Sequence, residues 1–281
     1  MSSQSNGPKP DSHQTVPPSG PGRRPGGRTG SAWGAARDAL AAAHNLEALL
    51  RSASVAYPTI LDLLPELRAS ARVLQEAFEG TRGGGAAAFA ASNYGTARVG
   101  ELEQLLDTTA AAEPDRDALA NRAHALANDL EASADLLALL ERASDLVPTE
   151  VSLDLIVRET GRMFATGRGR ELFVRFDEAA PDCVVNTDPY VVGPLLSLAI
   201  AHVTGGGLGE IVVRARCSPP NATLLVEAAT PADSALPGIT MRVLPAVPPV
   251  ELVARWVADQ IGALIVIEEA RWAIALGSAS S

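Results

Sequence analysis

The sequence predicts an α+β protein in which a long antiparallel helical hairpin, paired into a dimeric four-helix bundle, precedes an α/β sandwich. Three observations predict it. Ala39, Ala43, Leu46, Leu50, Ala53, Tyr57, Ile60, Leu64, Leu67, Ala71, Leu74 and Phe78 follow one another in steps of four and three, the spacing that keeps one seam of a helix facing a partner. Leu119, Ala123, Leu126, Leu130, Ser133, Leu137 and Leu140 repeat the pattern on a second arm, with Ser133 its one polar member. After Val147-Pro148 short β-rich runs alternate with helical ones, the texture of a sheet with a helical layer.

Residues 1–30, MSSQSNGPKPDSHQTVPPSGPGRRPGGRTG, are almost all Pro, Gly, Ser and polar residues, so a disordered, basic tail is expected. The hairpin is assigned to 31–148. Its first arm reads as one long helix, bent at Pro58 and Pro65. GTRGGG at 80–85 ends that arm. The second arm spans about 96–146 with a break at Pro114. A single hairpin leaves its seam half covered, which predicts a homodimer. In the third region, 149–281, helices are expected at 152–166, 189–204 and 250–261. Strands are expected at 171–176, 184–185, 210–216, 222–229, 264–269 and 271–276, with a Pro-rich stretch over 231–249.

Nearly half of the 281 residues are apolar but only 4% are aromatic, and the abundant Ala and Leu favour helices. The net charge of −10 argues against nucleic acid or an anionic membrane as partner. Cys183 and Cys217 show no Cys-x-x-Cys spacing and read as reduced core thiols. No run of 18 apolar residues and no signal-peptide pattern appears, so a cytoplasmic protein is expected. GGGLG at 205–209 lacks the Lys-Ser/Thr of a phosphate-binding loop and precedes a strand, so it reads as a turn.

LLALLERASDLVPTEVSLDLIVRETGRMFA (136–165), NTDPYVVGPLLSLAIAHVTGGGLGEIVVRAR (186–216) and PPVELVARWVADQIGALIVIEEARWAIAL (248–276) follow the hairpin in an order that resembles the transmitter core of bacterial sensor histidine kinases. The resemblance spans about 35–280 and implies a histidine-kinase-type ATPase-like sandwich after the hairpin. It also implies where the nucleotide contacts belong. The two positions of the asparagine-box helix fall on Ser197 and Ala201, and alanine cannot ligate a metal. The aspartate-and-glycine segment reads AATPADSALPGIT (228–240), with Asp233 displaced and Gly238 alone. The glycine-rich phosphate loop reads PAVPPVEL (245–252), whose prolines lack N–H donors. The resemblance is therefore to a degenerate member, and no cofactor and no metal are expected.

The chain has four histidines, of which two are candidates. His13 lies in the tail and His202 in an apolar helix, where a structural role is the simpler reading. His44 and His124 each follow a seam residue and are expected on the flank of the hairpin, towards solvent. AHNLEALL (43–50) resembles the family's phosphoacceptor motif at Ala43, His44, Leu46, Leu49 and Leu50. His124, in AHALANDL (123–130), resembles it too but sits on the second arm, so position favours His44. The acid that should follow His44 is Asn45 and the residue four on is Ala48. Since that acid is the general base for attack on ATP, autokinase activity is not expected. Accepting a phosphoryl group from a phospho-aspartate asks only for a neutral imidazole. The expected function is thus histidine phosphotransfer, with a response-regulator receiver domain or a histidine kinase as partner. A non-catalytic pseudokinase scaffold and an active kinase with an atypical nucleotide site stay open, as does a merely solvated His44.

Overall fold

The computed structural model describes residues 30–81, 85–111, 115–164, 169–177, 183–204, 209–218 and 221–277. The tail, His13 and most of GGGLG lie outside them.

The helical region holds four helices: α1 (Gly30–Arg51), α2 (Tyr57–Glu79), α3 (Gly85–Ala111) and α4 (Arg116–Ala143). The first arm is therefore two helices rather than one bent helix. Pro58 occupies the first turn of α2, where the missing N–H would have had no intrahelical partner. It starts a helix instead of kinking one, and the chain reverses over residues 52–56. Pro65 lies inside α2 and is tolerated there. The second arm also begins earlier than its seam suggests, since the Ala-rich run after Gly85 is already helical. It breaks between Ala111 and Arg116, and Asp115 caps α4 by accepting from the backbone N–H groups of Asp117 and Ala118. Pro114 itself falls outside the described residues.

Each helix packs against its sequence neighbours, and α4 returns to α1 to close the ring. A four-helix bundle is thus completed by one chain, without the second hairpin that the seam argument called for. Both seams nevertheless point where expected. Leu46, Leu50, Ile60, Leu64, Leu74 and Phe78 from the first arm are buried, as is every member of the second seam. Ala53, in the reversal, is exposed and Tyr57 half-buried. Ser133 fits the seam because its hydroxyl donates to the Asp129 carbonyl at 2.8 Å. Gly95 on α3 makes room for the Phe78 ring, which a Cβ would meet at 2.6 Å.

A linker at 144–148 leads to the second unit: β1 (Thr149–Ser152), α5 (Leu153–Phe164), β2 (Arg170–Asp177), β3 (Val184–Thr187), α6 (Pro189–Val203), β4 (Ile211–Ser218), β5 (Asn221–Ala228), β6 (Gly238–Val243), α7 (Val250–Gln260), β7 (Leu264–Glu268) and β8 (Arg271–Gly277). Six strands form one sheet in the order β6-β2-β4-β5-β8-β7, parallel only at β2–β4, while β1 and β3 pair apart. Alternate residues of β2, β5 and β8 are buried on one face, under α5, α6 and α7. The helical bundle followed by an α/β sheet unit is the α+β class that the sequence predicts.

Two details depart from expectation. GITMRV, inside the Pro-rich stretch, is the edge strand β6, a position where flanking prolines remove no ladder bond. Cys183 and Cys217 are joined as a disulfide with 5.7 Å between Cα atoms, not left as thiols. Their separation of 34 residues carries no local signal, and only the tertiary fold brings them together.

The bundle meets the second unit through α3 and α4 against α7, and α4 against α6. Buried Asp188 fixes the linker between them. One oxygen caps α6 through the Tyr190 N–H at 3.0 Å, and the other accepts from the Val147 N–H at 3.1 Å.

Two outcomes follow from a bundle closed within one chain. Leu130→Ala should cost about 2–5 kcal/mol in urea denaturation, as a large-to-small change at a fully buried site. The thermal midpoint should not depend on protein concentration, as it would if a second copy completed the core.

Candidate functional site

Because α4 runs antiparallel to α1 in the same chain, polar side chains along their shared edge meet in pairs. His44 Nε2 lies 3.0 Å from Glu131 Oε2, and His124 Nδ1 lies 3.0 Å from Glu47 Oε2. Each helix supplies one histidine and one glutamate. Arg51 extends the row, donating to Glu47 Oε1 at 2.9 Å and to Asn121 Oδ1 at 3.0 Å.

The two histidines differ in access. The His44 side chain is 12% exposed, drawn under Glu131, whereas the His124 side chain is 52% exposed. His44 was expected to face outward. The closing helix covers it, because α4 occupies the flank that an open hairpin would leave to solvent.

At His124 the bonding fixes the tautomer. An ionised carboxylate only accepts, so Nδ1 donates to Glu47. The Asn128 amide then donates to Nε2 at 3.1 Å, which leaves Nε2 as the lone-pair nitrogen. Glu47 stays ionised under this load. Burial works to raise its pKa, but the bonds from His124 and Arg51, and their charges, bring it below the ordinary carboxylate value. A carboxylate behind Nδ1 of an exposed imidazole, with the Nε2 lone pair engaged only by a neutral amide, is the arrangement of an oriented imidazole nucleophile once that amide moves aside.

Sequence reading missed both glutamates and Asn128. It sought an acid beside His44 and found Asn45, which is exposed along with Ala48. The acids come instead from the facing helix. Only the third-residue spacing of Glu47 after His44, on the same flank, hints at this in the sequence.

The other sequence candidates are structural. Buried Trp272 donates its indole N–H to His202 Nδ1 at 2.9 Å, and His202 Nε2 lies 3.2 Å from Glu251. Ser197 and Ala201 are buried on α6. Asp233 is occupied. It accepts from the Thr230 N–H and hydroxyl, each at 2.8 Å, and from Arg214 at 2.5 Å. Arg214 also holds Asp177 and Glu227. Ahead of α7, Pro249 stands at the cap position and Glu251 brings negative charge to the first turn, which disfavours an anion there. Among the described residues no cluster of His, Cys, Asp or Glu side chains is placed to hold a metal ion, and no helix is long and apolar enough to cross a membrane.

His124 and Asn128 also line a cleft of about 720 Å³ where the bundle meets the second unit. Its other walls are Gly169 and Arg170 at the start of β2, Ala201 and His202 near the end of α6 with Thr204 just beyond it, residues 243–246 at and after the end of β6, and Glu269 in the β7–β8 turn.

The bonds from Thr230 and Arg214 hold the Asp233 carboxyl down to about 2, from an ordinary 3.8. Its contribution to stability is therefore present above that ordinary value and lost as pH falls through about 2. Asp233→Asn should lower the melting temperature at neutral pH, with the gap to wild type narrowing in acid; scans from neutral to strongly acid pH check it.

No family model matches the chain, and no curated protein matches it. Among solved structures it is similar to bacterial histidine kinases. Acinetobacter baumannii histidine kinase AdeS aligns at TM-score 0.38 and 15% identity over 66% of this chain and 95% of the solved AdeS chain. Histidine kinase ThkA, solved in complex with the response regulator protein TrrA, aligns at TM-score 0.42 and 16% identity over 79% of this chain, which spans 64% of the solved ThkA chain. A histidine kinase from Burkholderia phymatum STM815 aligns at TM-score 0.34 and 16% identity, over 76% of this chain and 99% of that one. Each TM-score lies under 0.5, a likeness too slight to carry any residue role from those kinases to this chain.

Proposed function

We propose that this chain is a kinase-like protein of a two-component pathway that acts by histidine phosphotransfer with a receiver domain. His124 is the principal phosphoacceptor and His44 the alternative. One observation carries the choice: the His124 side chain is 52% exposed with its Nδ1 held by Glu47 and only the neutral Asn128 amide on Nε2, whereas the His44 side chain is 12% exposed with its Nε2 on the Glu131 carboxylate. In the transfer, the Nε2 lone pair attacks the phosphorus of a phospho-aspartate. The N–P bond forms as the acyl P–O bond breaks, the aspartate leaves as carboxylate, and the Nδ1 proton stays in its bond to Glu47. Asn128 rotates away from Nε2 to admit the phosphoryl group. The receiver domain brings the Mg²⁺ that shields the transferring oxygens.

Several features support a chain that does not use ATP itself. Ala201 offers no metal ligand, Asp233 is held by Arg214 and Thr230, and prolines replace donors ahead of α7. Absence of a thermal shift with Mg-ATP is the expected result, and a saturable shift would favour an active kinase. The closed bundle removes the packing reason for a homodimer, so we infer a phosphoacceptor that works within one chain. A cytoplasmic setting, where receiver domains are found, goes with this reading.

The experiment is incubation with a phosphorylated receiver domain, comparing wild type, His44→Ala, His124→Ala and the double variant. Label on wild type and His44→Ala, reduced at least about a hundredfold in His124→Ala, is the expected result. Label lost only in His44→Ala would transfer the role to that residue. Label on none, with receiver binding intact, would replace phosphotransfer with a scaffold role.

A further inference from the structure

The cleft between the bundle and the second unit holds a charge that the fold does not use. Arg170 opens β2 on the same side of the strand as Leu172, Val174 and Phe176, the side that the helices cover. It is half-buried, yet it makes no hydrogen bond or ion pair among the described residues. Other half-buried arginines of this unit are matched: Arg175 is held by Glu210 and Arg214 by three carboxylates. A guanidinium placed against a cavity without its carboxylate is costly to the fold and available to a ligand.

The wall beside it is built, not incidental. Gly169 sits at φ 110°, a conformation that favours glycine, and a Cβ there would collide with the Val243 carbonyl. This close approach sets Arg170 beside residues 243–246, whose Val243, Leu244, Pro245 and Ala246 give the cleft an apolar side with Ala201. The facing wall belongs to α4, where His124 Nε2 and the Asn128 amide are polar. The volume of about 720 Å³ suits a small molecule.

We propose that this cleft binds a small organic anion, its phosphonate-, phosphate- or carboxylate-type head on Arg170 and its apolar body against residues 243–246. Such a ligand touches both units, so it ties the bundle to the sheet unit and covers the outer side of His124. The binding step needs no phosphoryl transfer, and it stands or falls apart from the role assigned to His124.

Phenylphosphonate and benzoate serve as probes, with methylphosphonate as the head group without a ring. Binding to the full chain is followed by calorimetry and by the imidazole NMR signals of His124 and His202. Phenylphosphonate or benzoate should bind saturably at millimolar concentration or below, with shifts at those two imidazoles. Methylphosphonate should bind more weakly. Arg170→Gln should weaken binding at least about tenfold, and Arg158→Gln, on the outer side of α5, should leave it unchanged. Glu269→Gln, which removes the negative charge from the cleft rim at an exposed turn, should tighten it even where Arg170→Gln proves unstable. No saturable binding by either ring probe would overturn the proposal. So would binding that neither Arg170→Gln nor Glu269→Gln alters, or imidazole shifts at His44 in place of His124 and His202.

Discussion

The antiparallel contact of α1 with α4 is the constraint on which the other features rest. Leu46 and Leu50 on one helix and Leu126 and Leu130 on the other are buried, and this apolar burial holds the two backbones at packing distance. Once they are held, the edge beside the seam must satisfy its polar groups across the pair. The His–Glu contacts are the outcome, and they arise without cost to the core because each histidine follows a buried alanine, Ala43 or Ala123. A different helix order would bury the same leucines and yet separate every histidine from its carboxylate.

The second unit is joined to this bundle more closely than a flexible tether would allow. Asp188 serves two backbones at once, ending the linker and starting α6, and Arg142 of α4 stacks over the Tyr190 ring at 4.9 Å. These contacts fix α4 with respect to α6 and create the cleft between them. The polar network on the far face of the sheet, centred on Arg214, occupies Asp233, whose two carboxylate oxygens are both engaged within the fold. A single arginine with three carboxylate partners is a stabilising cluster whose members are not free for other work.

Much of this was legible in the chain. The steps of four and three located the buried residues of α1, α2 and α4, because burial at helical period depends only on local geometry. β2, β4, β5 and the β7–β8 hairpin were equally plain, each a run of alternating or β-branched residues. The chain reversal at 52–56 was not, since an antiparallel return keeps a seam facing the same core and leaves the heptad register intact. α3 was under-read because its opening alanines, which surround Phe89, follow directly on the glycines at 83–85 and carry little hydrophobic periodicity. β6 was hidden between prolines that an edge strand tolerates. At the site, both histidines were found by their place beside the seam. Their carboxylates were not, because an acid on another helix, 77 or 87 residues away, leaves no trace in local spacing. The disulfide was missed for the same reason.

Closure of the bundle by one chain has a consequence for how its core assembles. A hairpin that needs a second copy buries its seam only in proportion to protein concentration. Here Leu46, Leu64, Leu105 and Leu130 are covered by the chain's own helices. Burial of these leucines is thereby an intramolecular event, favoured by the covalent connection of α1 to α4 at any dilution.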